Sequence, residues 1–597
     1  MVYRKLKVNS AKKISFATSF ASLRSFMPFR LKIKLILLIL LMVFSALAEM
    51  MSIGMIIPFI SAITSPELVL ESQYMKPLIH FFEIQTQTDL TLFLTMVFCI
   101  AAILAASIRL LTLWFQTRFC YSLGADLSSQ LYKNSLYQPY TVHVARNSSE
   151  FISTIVNKTF QSTSFAILPM LNILSASLLL FGIVITLLLI QPIVALSVFL
   201  LFGALYGIVI FATRSKLDRD SERISFEQDE VVKKLQEGFG SIRDILISNT
   251  QKVYLKSYSS SFKALQDAWA NVEIIRSTPR FVIEAVGIVS IALLALYFST
   301  LSTGLIGALP VLAAMALGAQ RLLPILQLIY ASISSLRAGF QSLSDMLQLL
   351  EKPSQESLMN GEHAKIHFRN KLTLENIKFH YDSKSSLILD DLSTEIARGD
   401  MLGIIGTTGS GKSTLIDIIM GLLEPAKGSF YVDDKIINEF NRYGWQSQLA
   451  HVPQSIFLID ATISENIALG TPVDAINLEL VVEAAKKAQI HDAILSWDEG
   501  YSTVVGERGI RISGGQRQRI AIARALYKKA SVIIFDEATS ALDSKTESSV
   551  MQSIVELSND LTIIIVAHRL STLKNCTNII ELENGKIIKQ GIYNDFI

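Results

Sequence analysis

A glycine-rich stretch in the second half of the chain has the composition and spacing of a phosphate-binding loop. It fits G-x-x-x-x-G-K-[ST] and is followed by Thr414, the matching residues being Gly406, Thr407, Thr408, Gly409, Ser410, Gly411, Lys412 and Ser413. An apolar run from Met401 to Ile405 predicts a strand before it, and Lys412 to Leu423 predicts a helix after it. In this setting, backbone N–H groups and the helix N-terminus attract phosphate oxygens. We expect Lys412 to reach the β- and γ-phosphates and Ser413 to hold Mg²⁺ through its hydroxyl.

Polar residues follow three other predicted strands. The run from Ser531 is apolar until Asp536 and Glu537; Asp536 suits a water-mediated Mg²⁺ ligand and Glu537 suits the base or orienting group for an attacking water. The strand from Thr562 to Ala567 leads into His568, which we expect to donate a hydrogen bond to the γ-phosphate. A further strand ends at Gln454.

A second glycine-rich segment opens a predicted helix, Arg517 to Leu526. It reads Ile512, Ser513, Gly514, Gly515, Gln516. A helix N-terminus of this kind is a second anion site. One γ-phosphate needs only one cradle per chain, so two cradles indicate that two chains grip each nucleotide from both sides. Tyr381 follows another strand-like run, and its position alone does not decide between adenine stacking and a place in the core.

The composition excludes an ordinary soluble enzyme of this size. Of the 597 residues, 51% are hydrophobic and 18% are charged, which indicates membrane spans. The length suggests about three to five structural units. The net charge of +3 gives no indication of nucleic-acid binding, and the three scattered cysteines predict neither a metal site nor a disulfide framework.

Six long apolar runs occupy the first half of the chain. Each is long enough to cross a bilayer as a helix; they extend over residues 35–63, 90–113, 165–190, 193–212, 281–301 and 305–330. The first 34 residues hold nine Lys and Arg and no acid, and the loops on their side are long and charged. The positive-inside rule therefore predicts that both termini are cytoplasmic. We expect helical extensions into the cytoplasm, with elbows near 140–151 and 239–248 that touch the soluble half.

Two features of the membrane half each allow more than one interpretation. Residues 65–88 predict either an amphipathic helix on the outer membrane surface or a packed extracellular loop. Four ionisable residues lie within the predicted spans, namely Glu49, Arg109, Glu284 and Arg321. Such residues are candidates for substrate contact. The two arginines either line a pathway for an anionic head group, pair with the two glutamates, or extend to the membrane surface.

Together these motifs make the chain resemble an ABC transporter half-molecule of the exporter type over nearly its whole length. The resemblance implies that Tyr381 stacks on adenine, that Gly406 to Ser413 is the Walker A loop and that Asp536 ends the Walker B strand. It further implies that Gln454 is the Q-loop glutamine touching Mg²⁺ and the membrane half. The remaining implied motifs are the X-loop Thr503 to Gly509, the signature Ile512 to Gln516, the D-loop residue Asp543 and the H-loop residue His568.

The resemblance implies ATP and Mg²⁺ as ligands and an ATPase coupled to transport. ATP would lie between the Walker A loop of one chain and the signature of another. Because the base and the signature are both present, a homodimer is the simpler expectation, with a heterodimer as the alternative. The outer insert, Glu49 and the sequence after Gln320 make the chain similar to lipid-linked oligosaccharide flippases. Rival cargoes are lipid A-like lipids, peptides and hydrophobic drugs, and an ATP-driven regulator or channel is the alternative of a different class.

The predicted fold is a multi-domain membrane protein: an all-α six-helix transmembrane domain followed by an α/β P-loop ATPase domain. The expected organisation is a basic leader, a transmembrane domain with cytoplasmic extensions, a linker and a nucleotide-binding domain, at residues 1–34, 35–350, 351–365 and 366–597. We expect the protein to be integral to a bacterial inner membrane, with contacts to membrane lipid and an amphipathic substrate.

Overall fold

The computed structural model of the chain separates into two compact units by its internal contacts. It describes residues 16–55, 58–59, 63, 86–190, 192–299, 304–352, 356, 366–381, 386–537, 547–552, 561–567 and 569–597. The first unit comprises Met1–Leu136 and Arg146–Ser354, and the second comprises Tyr137–Ala145 and Gln355–Ile597. The predicted elbow near 140–151 is thus divided between the two units. Most of the outer insert at 65–88 lies outside the described residues. Asp543 and His568 lie outside them as well.

The first unit is helical throughout its described part. Its α-helices are α1 Phe16–Phe26, α2 Phe29–Gly54, α3 Gln87–Leu136, α5 Ser148–Ile152, α6 Thr159–Gln161, α7 Leu168–Ile190, α8 Pro192–Gly240, α9 Ile242–Ile247, α10 Gln251–Ser299 and α11 Gly304–Leu350, while α4, Tyr140–Ala145, belongs to the second unit. Two π-helical turns flank α6, namely π1 Ser153–Lys158 and π2 Ser162–Ile167.

The lengths of these helices follow from their apolar composition. Within the described residues, five helices are long and apolar enough to cross a membrane. Helix α3 has 50 residues, so at 1.5 Å per residue it measures about 75 Å against a hydrocarbon core of about 30 Å. It must therefore continue well beyond the bilayer, as predicted. The predicted span at 281–301 lies on α10, and residues 300–303 are outside the described part.

The second unit contains two sheets. A four-stranded antiparallel sheet has the order β2-β1-β4-β5, and a six-stranded sheet has the order β10-β9-β3-β8-β7-β6. The strands are β1 Lys371–Phe379, β2 Leu389–Ala397, β3 Met401–Gly406, β4 Lys427–Val432, β5 Lys435–Ile436, β6 Leu449–Val452, β7 Val532–Asp536, β8 Thr562–Val566, β9 Asn578–Glu583 and β10 Lys586–Gly591. Five neighbouring strands of the larger sheet, from β9 to β6, are parallel.

Helices cover this parallel sheet, so its central strands are buried on both faces. That environment accounts for the unbroken apolar runs of β7 and β8. The helices of the unit are α12 Lys412–Ile419, α13 Arg442–Gln446, α14 Ile463–Ile467, α15 Leu478–Lys487, α16 His491–Leu495 and α17 Gly514–Tyr527, with short 3₁₀ turns at Val473–Ala475, Gly500–Ser502, Glu507–Gly509, Leu570–Leu573 and Tyr593–Phe596. The sheet order brings the carboxyl ends of β3, β8, β7 and β6 to one edge.

Helix α11 approaches π2 closely at one glycine in the first unit. A Cβ atom on Gly339 would lie 2.8 Å from Phe165 Cβ and 2.9 Å from its carbonyl carbon. Gly207 on α8 is also helical, but a Cβ there would meet nothing within 4 Å. The first glycine is therefore required by packing, whereas the second is not.

This contrast predicts opposite effects for two identical substitutions. We expect Gly339→Ala to destabilise the first unit by about 1–3 kcal/mol through overpacking, because backbone atoms of Phe165 must give way. Gly207→Ala should be neutral or stabilising by up to about 1 kcal/mol, since alanine favours the helix. Thermal unfolding in detergent measures both. Equal melting temperatures for the two variants would contradict the close packing.

Candidate functional site

The loop after β3 adopts the conformation that a phosphate cradle requires. Gly406 and Gly411 have φ angles of +149° and +102°, and Gly411 is the residue that precedes the first turn of α12. A Cβ on Gly411 would lie 2.7 Å from Leu389 Cδ2, while one on Gly406 would collide with the Leu582 carbonyl oxygen. Only glycine fits at these two positions, and the loop therefore curls tightly around the start of α12.

Lys412 is held at the centre of this loop. Its Nζ donates hydrogen bonds to the carbonyl oxygens of Gly406 at 2.8 Å and Thr407 at 3.0 Å. The hydroxyl of Ser410 is buried without a hydrogen-bond partner in the described part of the chain. A buried cation with carbonyl partners and an unsatisfied hydroxyl are suited to receive phosphate oxygens. Lys412 and Ser410 thus fit the nucleotide predicted from the sequence.

Acidic and amide side chains meet at the adjoining strand ends. Asp536 ends β7, and Glu537 follows with a φ of +51°, its N–H bonded to the Val566 carbonyl at 3.0 Å. Gln454, two residues after β6, donates from Nε2 to Glu537 Oε2 at 2.6 Å. A non-glycine residue in the left-handed region is strained, and such strain clusters at active sites. The predicted base and the predicted Q-loop glutamine are therefore in direct contact.

A carboxylate that the sequence analysis did not select lies close to this group. Burial and the neighbouring Asp536 raise the pKa of Asp417 to about 6. Asp417 follows Ser413 by four residues on α12, so the two lie on the same face of that helix. The sequence could have pointed to Asp417 through this i, i+4 spacing from Ser413. Proximity of two carboxylates makes this edge of the sheet strongly negative in the absence of a cation.

The oxygen groups at this edge suit a magnesium ion. Ser413, Asp536 and Gln454 offer a hydroxyl, a carboxylate and an amide oxygen, which are the hard ligands that Mg²⁺ prefers. No group of three or more His, Cys, Asp or Glu is placed to hold a metal in the described residues. This is compatible with Mg²⁺, which usually binds through one or two protein groups together with phosphates and waters.

Two tyrosines of the second unit, Tyr381 and Tyr140, lie close enough to Asp417 or to each other to interact. Tyr381 is about half exposed and stands edge-on to Phe379, with ring centroids 5.1 Å apart. An exposed ring at the end of β1 favours stacking over a place in the core. Burial, Asp417 and Tyr381 raise the pKa of Tyr140, which opens α4. Tyr140 therefore shares the electrostatic environment of Asp417 and Tyr381.

The second glycine-rich segment forms a capped helix N-terminus. Ser513 Oγ accepts the Gln516 N–H at 3.2 Å, and Gln516 Oε1 accepts the Ser513 N–H at 2.8 Å, closing a capping box before α17. Farther along, Arg524 Nε donates to the Asn466 carbonyl at 2.9 Å and ties α17 to α14. No hydrogen bond joins Ser513–Gln516 to Gly406–Ser413, both of which the structure describes. The two predicted anion sites are thus separate features of one chain.

A largely apolar cavity in the first unit includes in its lining two of the four ionisable residues predicted as substrate contacts. It has a volume of about 550 Å³, and its lining includes Glu49 and Arg109. Gln116 and Asn172 also line it and are joined by a 2.5 Å hydrogen bond from Nε2 to Oδ1. The sequence analysis missed this amide pair because it selected only ionisable residues; Asn172 within an apolar run was the signal.

The other two ionisable residues have different settings. Glu284 accepts hydrogen bonds from Arg280 Nε at 3.0 Å and Gln327 Nε2 at 3.3 Å. The carboxylate is thus bonded to a neighbour on its own helix and to α11. Arg321 lies on α11, and its side chain is outside the described part. The structure therefore brings together Glu49 and Arg109, but places Glu284 with other partners.

Known proteins resemble this chain in sequence and in fold. Residues 389–540 match the family model described as ABC transporter. A solved structure of a bacterial Atm1-family ABC exporter with ATP bound has a TM-score of 0.77 and 23% sequence identity, covering 95% of this chain and 96% of that one. The chain therefore has the fold of that exporter: a helical membrane domain followed by an ATPase domain.

Several relatives match most of the chain. YgaD of Bacillus subtilis (strain 168), an ATP-binding/permease protein that its name assigns to multidrug export, is 30% identical over 501 residues, which are 81% of this chain and 82% of the relative. The ATP-dependent lipid A-core flippase of Chromohalobacter salexigens is 28% identical over 474 residues, or 79% of this chain and 80% of that protein.

A third similarity covers less of each protein. The alpha-hemolysin translocation ATP-binding protein HlyB of Escherichia coli O157:H7 is 37% identical over 284 residues, 47% of this chain and 39% of HlyB. Taken with the phosphate loop, the strand-end acids and the long apolar helices, these similarities establish the family. The chain belongs to the ABC transporters, as a membrane-embedded exporter whose ATPase drives transport.

Proposed function

We propose that this exporter works as a homodimer that moves an amphipathic, lipid-linked substrate from the cytoplasmic to the outer side of a bacterial inner membrane. Its domains are a basic leader (1–34), a transmembrane domain (35–350), a linker (351–365) and a nucleotide-binding domain (366–597), with both termini cytoplasmic. The observation that carries the substrate class is a largely apolar cavity whose lining includes the charged residues Glu49 and Arg109.

The cavity is suited to the polar head of such a substrate. Arg109 offers a guanidinium for phosphate oxygens, and the Gln116–Asn172 pair offers hydrogen-bonding groups for sugar hydroxyls. A volume of about 550 Å³ lies within the usual range of small-molecule sites. Lipid-linked oligosaccharide is our best candidate, and Arg321 and Glu284 stay candidates for further substrate contacts. Lipid A-like lipids, peptides and hydrophobic drugs are the rival cargoes, the first supported by the similarity to a lipid A-core flippase.

We assign a role to each group of the proposed nucleotide site. The loop amides, Lys412 and Ser410 bind phosphate, and Tyr381 stacks on adenine. Ser413, Asp536 and Gln454 hold Mg²⁺, which supplies charge neutralisation at the phosphates when bound. Glu537 orients and deprotonates the attacking water, His568 donates to the γ-phosphate, and Asp543 belongs to the dimer contact.

The other wall of each site is the signature segment of a second chain. The helix N-terminus after Ser513 and the phosphate loop are separate anion sites, which supports pairing between chains rather than within one. Closure of the sandwich would turn the cavity outward, and hydrolysis would reset it; the coupling operates between discrete states.

Removing the carboxylate of Glu537 should stop hydrolysis while leaving nucleotide binding intact. We expect E537Q to lower ATP turnover at least about 100-fold, since general-base catalysis contributes that much or more. Initial rates of phosphate release and binding of a fluorescent ATP analogue measure the two effects. Glu479→Gln on the exposed start of α15 is the control and should behave as wild type. Full turnover in E537Q would contradict the assigned base.

Mixed dimers test whether two chains complete each site. K412M and G514D should each be inactive as homodimers, because every site then lacks one wall. A mixed dimer has one site with both defects and one with neither. Coexpression should therefore restore about a quarter of the wild-type rate if assembly is random and the sites act independently. No recovery in purified mixed dimers, isolated with two affinity tags, would favour sites completed within one chain.

Arg109 should matter for the substrate and not merely for the fold. In proteoliposomes we expect polyprenyl-diphosphate oligosaccharide to stimulate the wild-type ATPase. R109A should raise the half-maximal concentration about tenfold or more, as expected for a lost charge-assisted contact. Arg118→Ala, on the same helix but outside the cavity lining, should keep the wild-type response. No stimulation of the wild type by this lipid, with stimulation by lipid A or drugs, would reassign the cargo.

A further inference from the structure

A lysine is buried among the helices of the first unit, away from the cavity described above. Lys158 is 3% exposed, and its Nζ lies 2.7 Å from Asp229 Oδ2 and 2.7 Å from Asp345 Oδ2. The lysine ends π1, Asp229 lies on α8 and Asp345 lies on α11. One ammonium therefore joins three segments that are far apart in the chain. We call Lys158, Asp229 and Asp345 the ion-pair hub.

The two carboxylates of the hub are unequally satisfied. Asp345 also accepts from Ser225 Oγ at 2.5 Å and from Gln341 Nε2 at 2.8 Å, so both of its oxygens are bonded. Asp229 Oδ1 is buried and has no hydrogen-bond partner among the described residues. A buried polar atom without a partner costs free energy. Of the two ion pairs, the Lys158–Asp229 contact is therefore the one that opens more easily.

The segment that carries Lys158 has an unusual backbone. Two π-helical turns, π1 and π2, are separated by only the three residues of α6. Such turns are rare overall, but many of those known lie at functional sites. The extra residue in each turn makes the hydrogen bonding of the helix less regular. Thr159 Oγ1 donates to the Thr154 carbonyl at 2.9 Å, five residues back, which supports the wider turn. The hub thus lies on a stretch whose backbone departs from regular α-helical hydrogen bonding.

The surroundings of the hub are polar and leave space for movement. Gln161 on α6 donates to Gln228 on α8 and accepts from Ser342 Oγ on α11 at 2.8 Å, so the next turn of the chain makes a second polar contact with the same two helices. A cavity of about 240 Å³ adjoins the hub, lined also by Arg146, Glu150 and Lys352. This volume is enough for several waters, which could hydrate Asp229 after its ion pair opens.

We propose that the ion-pair hub is a conformational latch: Lys158 stays bound to Asp345 while its contact with Asp229 breaks and re-forms as α8 moves against π1 and α11. The latch rests on the alternating-access cycle proposed above. A fixed structural brace would bond both carboxylates fully and would lie on a regular helix. The hub has one fully bonded and one partly bonded carboxylate, a backbone with two π-helical turns and an adjoining cavity large enough for several waters.

Spin labels on π1 and α8 test the movement directly. Val156 and Phe226 are exposed positions on these two segments, and each is replaced by Cys in a chain with Cys99→Ser. Pulsed electron–electron double resonance in nanodiscs compares the full dimer without nucleotide and with ATP and Mg²⁺ in the E537Q background. We expect the distance distribution within the chain to shift on ATP binding, with one spin-labelled chain per dimer. An unchanged distribution in protein that binds ATP overturns the latch.

Neutral variants separate a latch from a brace. K158M/D229N/D345N removes all three charges together, and replacing a buried ion-pair group in this way often leaves stability unchanged. We expect a melting temperature close to that of wild type. The ratio of the two populations in the Val156–Phe226 distance distribution, which we call the conformer ratio, should change at least about fivefold, the lower end of typical allosteric coupling. D229N should shift the ratio in the same direction, whereas D345N should also lower the melting temperature. A neutral variant with the wild-type conformer ratio and nucleotide response overturns the proposal.

A surface ion pair between the same two helices provides the matched control. Arg337 Nη1 on α11 lies 3.1 Å from Asp218 Oδ1 on α8, and the pair is partly exposed. R337M/D218N should leave the distance distribution and its ATP response as in wild type. These measurements need no transported substrate. Failure of every tested lipid to stimulate the ATPase would therefore reject the proposed cargo, whereas a static Val156–Phe226 distance would reject the latch alone.

Discussion

The geometry of a parallel sheet is the constraint on which the catalytic half depends. Strands β3, β8, β7 and β6 are neighbours and run in one direction, so their carboxyl ends meet at a single edge. The phosphate loop, the carboxylates and the Q-loop glutamine follow three of these strands. Residues separated by more than a hundred positions in sequence are thereby placed beside one phosphate cradle. The apolar runs of β7 and β8 allow these strands to be buried on both faces of the sheet.

The contacts at this edge describe a site arranged for a charged ligand. Lys412 is bonded to carbonyl oxygens of its own loop, and Glu537 is bonded to Gln454. These hydrogen bonds hold the charged groups in place at the edge of the sheet. Asp417, with its pKa raised by burial and by Asp536, adds to the negative potential at this edge. A cation bound there would offset part of that negative potential.

The membrane half obeys a different constraint. Its helices are longer than a bilayer is thick, so apolar spans continue into polar segments that must still pack together. Polar side chains in these segments are satisfied in specific groups, such as Gln116 with Asn172 and Lys158 with two aspartates. Buried polar groups of this kind fix particular helix arrangements, because a shift of register leaves them unpaired. They also provide sites at which two arrangements can exchange.

Much of the fold and the sequence segments of the candidate nucleotide site could be recognised from the sequence, because those signals are local. The glycine spacing around Lys412, the apolar strand before Asp536 and the long apolar runs each depend on neighbours in the chain. Tertiary structure decided what depends on packing between distant segments: the contact of Gln454 with Glu537, the place of Asp417, the shared cavity of Glu49 and Arg109 and the pairing of Glu284 with Arg280 and Gln327. The ion-pair hub is the clearest example. Lys158, Asp229 and Asp345 are unremarkable polar residues of helical segments, and only the packing of three helices buries one charge between two others.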